Sequence, residues 1–92
     1  MRIRWTVEAR SDLVRLYDFL APVNRQAAAR SVQRLQSAPT RLLRDHPRLG
    51  RRLGEFAPRE VRRVFVDHYE PRYEIQGETI FITNLWHTRE GR

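Results

Sequence analysis

The chain is 92 residues long, with 40% hydrophobic and 32% charged residues, which suits one small domain over residues 1–92 and leaves too little length for two cores. Cysteine is absent, which excludes a disulfide framework, a thiolate zinc site and a cysteine nucleophile and fits a reducing cytoplasm. No apolar run reaches membrane-spanning length and no hydrophobic stretch follows Arg2 and Arg4, so neither a membrane span nor a secretory signal is expected. All 18 basic residues are arginine, against 11 acids, giving a net charge of +7. Codon preference accounts for arginine over lysine but not for the excess, which points to an anionic partner.

Arg2-Ile3-Arg4-Trp5-Thr6 alternates polar and apolar residues, the period of a half-buried strand. Thr6 then suits a helix N-cap, with Glu8 in the first turn. Ala9, Leu13, Leu16, Tyr17 and Leu20 recur at helical spacing, so they predict a core-facing stripe, with Arg10, Asp12, Arg15 and Asp18 turned away. Pro22 ends that helix, and Asn24 caps a second whose stripe is Ala28, Val32, Leu35 and Leu42. Pro39 falls inside the second stripe, where a missing N–H predicts a kink or restart. The segment from His46 to Pro58 reads as a loop. Three strand-like runs follow, Val61 to Val66, Tyr69 to Gln76 and Thr79 to Leu85, with turns at Asp67-His68 and Gln76-Gly77-Glu78. Pro71 predicts a bulge or an unpaired side in its strand. Tyr73 and Ile75 alternate with Arg72, Glu74 and Gln76, so one sheet face is apolar and the other polar. The expected fold is α+β: a single two-layer β-α-α-β-β-β domain, with the helical hairpin on one face of a mainly antiparallel four-stranded sheet.

Chemistry gathers in the second half. Arg51, Arg52, Arg59, Arg62, Arg63 and Arg72 place guanidinium groups on the loop and on neighbouring strands, where like charges repel unless something anionic arrives. His87 follows the last predicted strand and is the candidate general acid or base for RNA chemistry; packing of its ring beside Trp86 is the structural alternative. Glu60 is the one acid placed to serve as a base, and an ion pair with Arg62 or Arg59 is its other duty. His46, His68 and His87 lack metal-ligand spacing, and Leu49-Gly50-Arg51-Arg52-Leu53-Gly54 lacks the strand and helix that make a phosphate loop. No metal and no cofactor are expected.

His46-Pro47-Arg48-Leu49-Gly50-Arg51, Val61-Arg62-Arg63-Val64, Tyr69-Glu70-Pro71-Arg72-Tyr73-Glu74-Ile75, and Ile80-Phe81-Ile82 through Trp86-His87-Thr88-Arg89, in this order, resemble the RelE/ParE toxins of bacterial type II toxin–antitoxin systems. The likeness spans nearly the whole chain. It implies a cytoplasmic, growth-inhibiting toxin, of the plasmid-stabilization type, silenced by a cognate antitoxin that wraps the helices and sheet in a higher-order complex. RelE-like members are ribosome-dependent messenger RNA endoribonucleases. For that branch the resemblance implies Arg63, Arg72, His87 and Arg89 around the scissile phosphate. ParE-like members inhibit DNA gyrase without catalytic residues, and Arg51, Arg52, Arg59, Arg62, Arg63, Arg72, His87 and Arg89 are then the target-binding set. Glu70 stands where family members often carry arginine, no lysine pair exists, and His87-Thr88-Arg89 reads like the ParE tail. The expectation is therefore gyrase inhibition, with RNA cleavage as the alternative. A non-toxic basic nucleic-acid-binding module is the second alternative.

Overall fold

A computed structural model describes residues 1–90. β1 (Arg2–Trp5) leads into α1 (Val7–Leu20), and α2 (Arg25–Asp45) returns beside it. Both helix starts are made locally: Thr6 Oγ1 accepts the Ala9 N–H at 3.1 Å, and Asn24 Oδ1 accepts that of Ala27 at 2.9 Å. Each cap satisfies an amide that no helical carbonyl can reach. Thr6 Oγ1 also lies 3.1 Å from the Ile82 carbonyl and 3.2 Å from that of Thr83, so the same hydroxyl ties the helix start to the sheet.

After α2 come β2 (Arg51–Arg52), a 3₁₀ turn at Gly54–Phe56, β3 (Glu60–Arg63), β4 (Tyr69–Gln76) and β5 (Thr79–His87). The sheet has five strands in the order β1-β5-β4-β3-β2. β1 runs parallel to β5, and the other pairs are antiparallel. The expected four strands become five because Arg51 and Arg52, read as loop, pair with Arg63 and Arg62. Pairing this short leaves no periodicity in a sequence. β3 stops at Arg63, although Val64 still donates to the Pro71 carbonyl at 3.0 Å. Beside Pro71, the β4–β5 register shifts between Arg72 and Tyr73, which is the bulge that a proline in an interior strand calls for. β5 continues to His87, which pairs with Tyr69. His87 is thus the last residue of the strand and does not follow it.

The helices cover one face of the sheet. Ala9, Leu16, Leu35 and Leu43 meet Tyr69, Tyr73, Ile75, Ile80, Ile82 and Leu85 in one buried cluster, and this burial is the main term holding the layers together. α2 runs through Pro39 without a break, contrary to the expected kink or restart. An interior proline costs about 3 kcal/mol. Here its ring is fully buried between the turns of Leu35 and Leu43, and the apolar contact offsets the lost hydrogen bond. Asp12 and Arg15 are not turned away from the protein either; both bind the end of β5. The face of the sheet away from the helices is polar in sequence but not open. Glu70 and Glu74 on it are 2% and 5% exposed, and the Leu53 N–H, donating to the Val61 carbonyl at 2.8 Å, carries the β2–β3 pairing one residue further.

Candidate functional site

The arginines of the second half divide into those bound by the fold and those left on the surface. Gly50 starts the first group. Its N–H donates to Tyr73 Oη at 2.9 Å, and that hydroxyl donates to the Pro47 carbonyl at 2.8 Å. A Cβ on Gly50 would stand 2.5 Å from the Arg63 carbonyl oxygen and 2.8 Å from Tyr73 Oη, so the close approach admits glycine alone. Burial pushes the Tyr73 hydroxyl above its ordinary range, as suits a group that stays neutral and donates. Arg62 closes the arrangement: its Nε donates to Glu60 Oε2 at 2.8 Å and one terminal nitrogen to the Gly50 carbonyl at 2.7 Å. Arg48 forks onto the same carboxylate at 2.9 and 3.1 Å. Hydrogen bonds from Arg62 and then Arg48 hold Glu60 below the usual carboxylate range. Glu60 is therefore an anchor for two guanidiniums, which weakens it as a base.

Arg59 forks onto Glu74 at 2.6 and 3.2 Å and pulls that carboxyl down in the same way. Arg63 reaches 4.0 Å from Glu70 and lies over the Phe65 ring at 5.4 Å. Arg72 is held between two rings, 4.7 Å from the Trp86 centroid and 5.5 Å from that of Phe56, a cation–π arrangement. Its Nε is buried without a hydrogen bond. Arg51, Arg52 and Arg89 are exposed and form no ion pair among the described residues. Of the predicted arginine set, the structure joins Arg59, Arg62 and Arg63 to acids, stacks Arg72, and leaves Arg51, Arg52 and Arg89 on the surface.

His87 is 3% exposed. Tyr69 meets its ring edge-on at 5.1 Å, Phe19 lies at 5.6 Å and His68 at 6.2 Å. Nδ1 accepts the Arg89 N–H at 3.0 Å, so this hydrogen bond assigns the proton of the neutral ring to Nε2. Burial first, then the charges of Arg89 and His68, lower its pKa. The ring is thus held neutral in an aromatic box.

Around it, the carboxy-terminal end is fastened to α1 by residues that the pattern of the sequence places outward. Asp12 Oδ2 accepts the Leu85 N–H at 2.8 Å, and Arg15 donates to the Leu85 carbonyl at 2.6 Å and to Glu90 Oε2 at 2.9 Å. Asp12 and Arg15 also pair with each other. Glu90 Oε1 accepts the His87 N–H at 2.8 Å, and the Arg15 hydrogen bond holds Glu90 below the usual range. The Asp12–Arg15 spacing is the one sequence signal for this fastening; nothing local reports its reach to Leu85.

This geometry presents contact groups more than reactive ones. Among the described residues the Glu90 carboxylate binds the His87 backbone N–H, while Nδ1 of the ring is bonded to the Arg89 N–H, and no group of three or more metal-ligating side chains occurs among them. On the opposite layer, Leu13, Val14, Tyr17, Ala29 and Val32 line an apolar groove of about 310 Å³ between the helices. No described helix is long and apolar enough to cross a membrane.

A family model described as the ParE toxin of the parDE type II toxin–antitoxin system matches residues 3–91. The chain belongs to the ParE toxin family. Among solved structures, the chromosomal ParDE toxin–antitoxin system from P. aeruginosa contains a chain of the same fold, with a TM-score of 0.76 at 21% identity and 95% of each chain covered. A search of curated proteins finds no match. The strand order, the helical hairpin and the buried His87 are thus features of a ParE-family toxin, and the resemblance seen in the motifs from His46 to Arg89 is borne out for the family.

Proposed function

We propose that this ParE-family chain is the toxin half of a type II pair, that it arrests growth by binding DNA gyrase in the cytoplasm, and that a cognate antitoxin silences it. The observation that carries the choice of gyrase over RNA cleavage is the state of His87. A general acid or base must reach the proton it transfers and hold a pKa suited to the exchange. His87 is enclosed by Tyr69, Phe19 and His68, its Nδ1 is taken by a backbone amide, and its pKa is lowered. Glu70 lies between the strands that carry Arg63 and Trp86, where a carboxylate opposes a phosphate. Inhibition by contact needs none of these groups to react. Of the arginines in the second half, Arg51, Arg52 and Arg89 are free for it, and Arg72 adds a guanidinium already stacked on Trp86.

The antitoxin's place is the apolar groove lined by Leu13, Val14, Tyr17, Ala29 and Val32. Val14 is 62% exposed, and an amphipathic helix laid there would remove that surface from water. Purified protein titrated into a gyrase supercoiling reaction tests the proposal: stoichiometric inhibition, with trapped gyrase–DNA cleavage complexes, is expected, and full supercoiling at excess protein would overturn it. Antitoxin added first should abolish the inhibition.

A further inference from the structure

The outer side of α2 carries a row of cations. Arg30, Arg34, Arg41 and Arg44 recur at spacings of four, seven and three residues, which at about 3.6 residues per turn places them within an arc of about 80°. The buried Ala28, Leu35, Pro39 and Leu43 fall on the opposite side of the helix. All four arginines are exposed, and at a rise of about 1.5 Å per residue the row is about 21 Å long. α2 has no acid before Asp45, its last residue. Among the described residues Arg30, Arg41 and Arg44 form no ion pair. Arg34 approaches Asp67 at 3.9 Å, with both side chains more than half exposed, a pairing that solvent leaves weak.

Short polar side chains separate the arginines. Ser37 Oγ donates to the Gln33 carbonyl at 3.1 Å and Thr40 Oγ1 to the Gln36 carbonyl at 3.3 Å, so these hydroxyls are satisfied within the helix and the arginines supply the outward donors. Two shallow hollows meet at Gln33 and Ser37, one lined by Arg30 and Arg34, the other by Arg41 and Arg44. Neither is lined by an acid or an aromatic ring, and the largest apolar side chain in them is that of Ala27.

Composition decides what such a ridge accepts. A partner protein needs an apolar centre to its interface, and the row has none. A single nucleic-acid strand is held by stacking its bases on aromatic faces, and the row has none of these either. A duplex backbone asks only for cations and amide donors at intervals, and it offers a phosphate about every 3.4 Å along each strand. The major groove of B-form DNA admits an α-helix, whereas that of A-form RNA is too deep and narrow. From this juxtaposition we infer that α2 lays its outer ridge against a DNA duplex, with Arg30, Arg34, Arg41 and Arg44 each holding a phosphate. Such contacts carry no base sequence. The ligand is bare DNA, so the inference stands apart from the choice of gyrase as target.

A net charge of +7 attracts any polyanion diffusely, so the test must locate and count the contacts. The whole chain is titrated into a fluorescent duplex of about 20 base pairs, read by anisotropy, at salt concentrations from about 25 to 200 mM. Four phosphate contacts predict that the logarithm of the affinity falls with that of salt at a slope of about −3.6. Replacing Arg30, Arg34 and Arg41 together by Gln should flatten the slope by about 2.7 and weaken binding at least about tenfold at the lowest salt. Replacing Arg2, Arg4 and Arg10 by Gln removes the same charge and should leave the slope within about 0.5 of the parent's. Thermal midpoints of both variants should stay within a few degrees, because these side chains are exposed. Equal losses in the two variants, or no binding at the lowest salt, would overturn the inference. So would polyglutamate that displaces the labelled duplex as well as unlabelled duplex does, or tighter binding of single-stranded DNA or of an RNA duplex.

Discussion

β3 with the loop before it and the β1 edge use one residue type in opposite ways. At the β2–β3 side, Arg48 and Arg62 share Glu60, Arg59 holds Glu74, and Arg62 bonds the Gly50 carbonyl. At the β1 edge, Arg2, Arg4, Arg10 and Arg44 stand around a groove that contains no carboxylate. Arginine is divided evenly, nine in residues 1–46 and nine in residues 47–92, so sequence position does not say which guanidiniums are free. Pairing does: in the second half they largely bridge the loop from His46 to Pro58 to the sheet, while unpaired arginines lie on β2, at Arg89 and along β1. Guanidinium is a structural group wherever a carboxylate lies within its fork and a recognition group wherever none does.

Acid should break the first kind of region and spare the second. Glu60, Glu74 and Glu90 all titrate below the ordinary carboxyl value of 4.5 in the folded protein, so the stability they contribute is present above that value and lost as pH falls through and below it. His87 acts earlier and in the same direction. Its folded pKa lies below the ordinary 6.5, so the unfolded chain takes up the proton first and stability begins to fall below about pH 6.5. Thermal midpoints measured from pH 8 to 3 should show a shallow decline followed by a steep one. In a His87→Gln variant the shallow phase should disappear.

Among single substitutions, Arg62→Ala should cost the most, about 2–4 kcal/mol, because it strips Glu60 and the Gly50 carbonyl of a half-buried partner at once. For a domain of this size each kcal/mol lowers the melting temperature by about 4–8 °C. Tyr73→Phe removes one hydroxyl that both accepts from Gly50 and donates to Pro47, and about 1–2 kcal/mol is expected in urea unfolding. Replacing Arg51 and Arg52 by Gln should change stability by no more than about 0.5 kcal/mol yet weaken gyrase inhibition. A large loss of stability there would show that β2 also belongs to the fold's internal pairing.

The parts legible in the sequence are those made by near neighbours. Thr6 and Asn24 cap their helices as read, since a cap needs only the next turn, and β4 spans Tyr69–Gln76 as the alternation of Tyr73 and Ile75 with Arg72, Glu74 and Gln76 implies. The hairpin at Gly77, with φ of 58°, lies where glycine announced a turn. What could not be read depends on distant partners. Pro39 stays in the helix because its ring is buried on the core side. Asp12 and Arg15 fall on the outward side by period, but the end of β5 comes to meet them. Glu70 and Glu74 alternate as surface residues yet are covered. The candidate site followed the same division: the residues were named, but pairing and burial decide which of them are available, and neither has a local signature.

The most direct measurement gives one preparation of the protein two targets in parallel: gyrase with supercoiled DNA, and ribosomes programmed with a messenger RNA read by primer extension. Contact inhibition predicts trapped, cleaved DNA in the gyrase reaction and an intact message, with His87→Gln as active as the parent once its folding is matched. Cuts in the message at the ribosomal A site that vanish in His87→Gln, with gyrase untouched, would contradict it.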